Sequence, residues 1–239
     1  MQKNVEKMSI NYSPNFNLRK RSNLKVKYII FHYTGMKSEK GAIKRLTTPN
    51  SGVSCHYFIK KNGQIIRIVP DLYVAWHAGN STWKNDNYLN LNSIGIEISN
   101  PGHSHGYCNF TPSQIKSIIK LSKKLKKKYK IKKENILGHS DVAPLRKKDP
   151  GEKFPWKLLH KKKICLWHDL SKKNCNKFRK IKLADSKKFY KLLFKFGYKP
   201  TNNLIEKVKI YKNFQRRFRP EVISSIVDKE CYMILKSLI

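Results

Sequence analysis

A histidine, a lysine and an aspartate share one short irregular stretch, GHSDVAPLRKKDPG, between Gly138 and Gly151. Those residue types suit an open metal centre, because a catalytic zinc ion keeps three protein ligands and leaves its fourth position to water or substrate. His139 and Asp149 can supply two of the three. Asp149 precedes Pro150, which pushes its backbone toward an extended conformation, and residues two apart in such a segment project to one side. Lys147 is therefore expected to point with Asp149. A hydrolytic centre also needs a base beside the attacking water and a positive group where an oxyanion develops. Glu97 and Lys147 are the candidates. Glu97 sits among the isoleucines of SIGIEIS, Ser93 to Ser99, where a carboxylate costs stability unless it faces a cleft or a partner. The plain alternatives are an edge-strand glutamate facing water and, for Lys147, a solvated loop lysine, one of 43 in the chain.

Eight histidines are available, and spacing does not choose the third ligand among them. His32 ends VKYIIFHY, Val26 to Tyr33, whose β-branched and aromatic residues on both faces describe a central strand. His56 lies within a strand, and His77 lies in AWHAGNSTW, a loop whose aromatic and small residues suit a substrate groove. For either, a hydrogen-bonded structural role is at least as good a reading. Cys55 to Ile59 and Gln64 to Val69 flank Asn62-Gly63, a hairpin signal, since both turn positions tolerate positive φ. Thr111, Pro112 and Gln114 open a helix with a capping box, apolar from Ile115 to Tyr129 on one face and lysine on the other.

Six segments in order resemble one family: SPNFN (Ser13 to Asn17), FHYTGM (Phe31 to Met36), SCHYFI (Ser54 to Ile59), AWHAGNSTW (Ala75 to Trp83), GIEISNPGHSHGY (Gly95 to Tyr107) and GHSDVAPLRKKDPGEKFPW (Gly138 to Trp156). Together they resemble the zinc-dependent N-acetylmuramoyl-L-alanine amidases of the amidase-2 type, across the first two-thirds of the chain. The resemblance implies a zinc ion on His32, His139 and Asp149, with Glu97 as catalytic carboxylate and Lys147 at the oxyanion. It implies hydrolysis of the amide between N-acetylmuramic acid and L-alanine, in peptidoglycan or muropeptides. Trp76, His77, Trp83 and Asn100 are candidates for the substrate groove, where aromatic faces and amide donors suit sugar and peptide; core packing is the competing reading for both tryptophans. Relatives that bind peptidoglycan without cutting it lack a ligand or the carboxylate, and this chain keeps all five positions.

The implied architecture is α/β, a mixed β-sheet flanked by helices (1–160), then a linker or extension (161–184) and a small all-α domain of three helices (185–239). In that last part FQRRFRP (Phe214 to Pro220) and VDKECYMIL (Val227 to Leu235) resemble a peptidoglycan-binding three-helix domain, with Cys231 where such modules carry threonine. A net charge of +37 points toward a polyanionic partner, but lysine dominates it and is spread through the chain, and no nucleic-acid motif accompanies it. No specific nucleic-acid partner is expected, and a monomer is. Five cysteines without a CxxC pair indicate neither a disulfide framework nor a thiolate metal site. Met1 to Asn23 contains no apolar export segment, and no run approaches the length of a membrane helix, which places the chain in the cytoplasm unless its substrate draws it to the periplasm or cell envelope.

Overall fold

The computed structural model describes residues 9–179 and 181–239. Its centre is a six-stranded mixed sheet built from β1 (Ser9–Ile10), β2 (Tyr28–Tyr33), β3 (Tyr57–Ile59), β4 (Ile65–Arg67), β5 (Ser93–Ile98) and β6 (Ile136–Gly138), in the order β1-β4-β3-β5-β2-β6. All pairings are parallel except the hairpin β3–β4, whose turn places Gly63 at φ +85°. β2 and β5 lie in the middle of the sheet, and their runs of Ile, Phe and Tyr are buried on both faces, as parallel strands covered by helices require.

Helix α1 (Glu39–Thr47) follows β2, and α2 (Pro112–Tyr129) follows β5. The Thr111 hydroxyl accepts from the Gln114 amide while the Gln114 side chain accepts from the Thr111 amide, so two otherwise orphaned donors of α2 are satisfied at its start. Ile118, Leu121, Leu125 and Tyr129 of α2 are buried against the sheet. A short helix α3 (His139–Val142) begins directly at the end of β6, and α4 (Trp156–Lys161) follows the loop that leaves it.

The remaining helices are α5 (Lys172–Arg179), α6 (Ser186–Phe196), α7 (Leu204–Phe218) and α8 (Lys229–Leu238). Helices α6 to α8 lie within 185–239, where three helices are expected, with Asp228 capping α8 by accepting from the Cys231 amide. Within 161–184, α5 forms, and Ile164, Cys165 and Trp167 are buried in the same apolar cluster as the sheet residues Ile29 and Ile96 and the helical residues Phe189, Phe214 and Ile234. Trp83 is wedged between Phe196 and Tyr198, with ring centroids 5.6 and 5.1 Å away, and Gly197 makes room for it: a Cβ there would come within 2.7 Å of the indole.

A buried charge joins the two parts. Asp141 in α3 accepts from the Gly138 amide (2.7 Å) and the Tyr198 hydroxyl (2.9 Å) and forms an ion pair with Arg217 of α7, whose other terminal nitrogen donates to the Ile136 carbonyl at 2.9 Å. Asp141 and Arg217 are 1 % and 2 % exposed, so removing one leaves the other charged and desolvated. Arg217→Met should therefore lower the unfolding free energy by about 3–5 kcal/mol in urea titrations. A loss below about 1 kcal/mol would mean that solvent reaches this pair.

Candidate metal centre

The sheet register places two of the key side chains side by side. His32 near the end of β2 pairs with Glu97 of β5 in direct register, so both project to the same face. His139 opens α3 at the end of the neighbouring strand β6, and Asp149 lies ten residues on, where its carbonyl accepts from the Ser140 amide at 2.8 Å and folds the loop back on itself. All three expected ligands are brought together.

Their geometry is compact. His32 Nδ1 and His139 Nδ1 are 2.9 Å apart, and Asp149 Oδ2 lies 3.1 Å from the first and 3.0 Å from the second. The outward-facing nitrogens fix which atoms carry protons. His139 Nε2 donates to the Ala78 carbonyl at 3.2 Å, which leaves its Nδ1 lone pair pointing into the triangle. His32 Nε2 donates to His77 Nδ1 (3.1 Å), His77 Nε2 donates to Ser93 Oγ (3.2 Å), and the Ser93 hydroxyl ends the relay on the Leu89 carbonyl. In that tautomer two imidazole lone pairs and a carboxylate oxygen face one another, an arrangement that a cation among them would complete.

The triangle fits such a cation. Four ligands at about 2.0–2.1 Å in a tetrahedron stand about 3.3 Å apart, so an ion would open the observed edges by a few tenths of an ångström. The buried His32, His139 and Asp149 could hold a metal ion. Burial, reinforced by the His139 ring, pushes His32 down to about 4, and burial with the His32 ring pushes His77 well below the ordinary histidine value. Burial alone would raise the Asp149 carboxyl, but His139 and His32 outweigh it and hold it far below the usual range. Metal binding requires the neutral form of an imidazole and the ionised form of a carboxyl.

Glu97 is the odd member. Among the described residues its Oε2 has no hydrogen-bond partner although it is buried, and burial, then the nearby Asp149, raises its carboxyl well above the ordinary value, against a smaller opposing effect of Lys147. Glu97, His139, Lys147 and Asp149 line one cleft of about 480 Å³, together with Trp76 and Arg146.

The other expected groove residues are distributed unevenly. Trp76 lines the cleft, its indole N–H donating to Asn17 Oδ1 at 2.7 Å. His77 also lines it, yet both ring nitrogens are engaged by His32 and Ser93. Asn100 is buried, donating to the Cys108 carbonyl (2.8 Å) and accepting from the Gly102 amide (3.0 Å), so its amide shapes the loop after β5. Trp83 stands apart from the cleft, against α6 and Tyr198. His56 accepts from the Gly95 amide at 3.0 Å and is a strand-holding histidine. Arg146 escaped notice in the sequence although it lies between His139 and Asp149. It binds the Ala78 and Asn80 carbonyls at the cleft edge.

A sheet carrying a three-ligand cluster with a desolvated carboxyl beside it, both open to a cleft, has the equipment of a hydrolase. Comparison with known proteins narrows that class. Residues 22–152 match the family model described as N-acetylmuramoyl-L-alanine amidase, Amidase_2. The chain is 33% identical over 231 residues to the N-acetylmuramoyl-L-alanine amidase AmiD of Escherichia coli, covering 90% of this chain and 83% of that protein. The solved complex of AmiD with anhydro-N-acetylmuramic acid-L-Ala-D-gamma-Glu-L-Lys superposes with a TM-score of 0.81 at 32% identity, over 93% of this chain and 91% of AmiD. AMPDH3 of Pseudomonas aeruginosa, solved with an anhydromuramic pentapeptide, superposes with a TM-score of 0.80 at 29% identity, over 92% of each chain. The chain belongs to the amidase-2 family of N-acetylmuramoyl-L-alanine amidases.

Gly95 offers a test of the histidine relay. A Cβ there would lie 2.3 Å from the His77 ring, so Gly95→Ala must move the ring that orients His32. Competition with a chelator should show metal affinity reduced about 10–100-fold. Unchanged affinity would mean that His77 does not set the orientation of His32.

Proposed function

We propose that this chain hydrolyses the amide between the lactyl group of N-acetylmuramic acid and L-alanine, with one zinc ion held by His32, His139 and Asp149, Glu97 as proton carrier and Lys147 at the oxyanion. The observation that carries the reading is the unpartnered Glu97 oxygen beside three converging acceptors. A buried carboxylate without a partner is costly in a folded protein and is retained where a substrate or water completes it. A zinc ion supplies Lewis acidity to the scissile carbonyl and to the attacking water.

The protein groups do the rest. Glu97 takes a proton from the attacking water and passes it to the leaving amine of L-alanine. Its raised proton affinity suits both halves of that transfer, since a carboxyl of ordinary strength would accept the proton weakly. Lys147, across the same cleft, meets the negative charge that develops on the carbonyl oxygen, a contribution of about 2.7–4 kcal/mol in comparable sites. Trp76 offers an aromatic face to the sugar, and His77 holds His32 in orientation. AmiD and AMPDH3 were each solved with an anhydromuramyl peptide, which supports an anhydro-muropeptide as substrate for this chain.

Intact sacculi and soluble anhydro-muropeptides, digested in parallel, test the reading. Wild type should release free stem peptide from at least one of them, and Glu97→Gln should lower turnover about 10²–10⁴-fold while retaining the full metal content by elemental analysis. Release that persists at the wild-type rate in Glu97→Gln would remove Glu97 from the reaction. Chelation should abolish release, and stoichiometric zinc should restore it; activity that survives complete removal of metal would sink the proposed centre.

A further inference from the structure

Between α3 and Asp149 the chain runs as irregular turns, and its internal support is slight. The Arg146 and Lys147 amides donate to the Ala143 carbonyl at 3.2 and 3.0 Å. The carbonyls of Pro144 and Lys147 point outward, and one side chain satisfies both. Asn213 of α7, 2 % exposed, donates from its amide nitrogen to Pro144 O at 2.7 Å and to Lys147 O at 3.1 Å. Its own oxygen is occupied by Arg216, which donates from NH1 at 2.8 Å. Arg216 also lies 3.6 Å from Glu152 on the far side of Asp149, and Glu152 pairs with His103 at 3.1 Å.

Asn213, Arg216 and Arg217 occupy one turn of α7 and face the loop together, since positions three and four apart share a helix surface. Arg217 holds the His139 end through Asp141, Asn213 holds the middle, and Arg216 reaches the segment after Asp149. The middle is where Lys147 leaves the backbone.

We infer that Asn213 is a positioning residue for Lys147: its amide, by clamping the carbonyls of Pro144 and Lys147, aims the lysine into the cleft. The C-terminal helices thereby take part in turnover itself, in addition to any hold on a glycan chain. The inference rests on the role proposed above for Lys147. An ammonium on a flexible four-carbon stem stabilises an oxyanion only as well as its backbone origin is fixed. A displacement of about 1 Å at such a site costs up to about 100-fold in rate.

Asn213→Asp is the sharpest probe, because it keeps the volume and the Arg216 contact and replaces only the donor with an acceptor facing two carbonyls. Asn213→Ala, which introduces no repulsion, is the companion. In full-length, zinc-loaded protein both should lower kcat about 10-fold with KM within about 2-fold, because the oxyanion exists in the transition state and not in the bound substrate. Hydrogen exchange followed by mass spectrometry should show faster exchange for residues 143–148, with 28–33 unchanged. In a Lys147→Met background the same substitutions should change kcat less than 2-fold, the mark of two residues acting as one.

Wild-type kcat in both Asn213 variants overturns the inference. So does a decrease that is equally large with and without Lys147, which would reveal a general loosening of the fold. Failure of the underlying reading looks different: wild type releases no stem peptide, or Lys147→Met is as active as wild type, and the inference falls with it.

Discussion

Three ligand atoms, two imidazole nitrogens and a carboxylate oxygen, are held about 3 Å apart, and the groups behind them keep them there. Each is tied from behind or along its chain: His32 by His77, His139 by the Ala78 carbonyl, and Asp149 by its own carbonyl on Ser140. Folding thus brings together three atoms that could hold a small divalent cation. Burial raises the proton affinity of the Glu97 carboxyl, with Asp149 adding to the effect.

Much of this was legible in the residues. The twofold alternation of a strand places His32 and Glu97 correctly on their own elements, and the parallel register then sets them opposite each other. The capping box at Thr111 and the Asn62-Gly63 turn appear where local chemistry dictates them. Such signals act over three or four residues, and sequence reads them well. The choice of His32 from eight histidines came through family resemblance, because it depends on which strands become neighbours.

What stayed hidden depends on packing at long range. Trp83 and Trp76 carry the same ring, yet Trp76 faces the cleft while Trp83 fills a slot opened by a glycine more than a hundred residues away. Asn100 has a donor and an acceptor that a substrate could use, but nearby backbone groups engage both. Asp141 reads as an ordinary member of a motif until Arg217 and Tyr198 arrive from the other end of the chain. The patterns that delimit α6 to α8 are silent on what those helices touch.

Helix α7 has two unlike ends. Leu204, Ile205 and Lys209 in its first turns look outward into solvent, whereas Asn213, Phe214 and Arg217 in its last turns are enclosed. Substitution can therefore run freely at the solvent end. The inward turn can change only in concert with the stretch from Asp141 to Glu152, so that exchanging these helices wholesale between amidases would demand a matched exchange of the loop they grip.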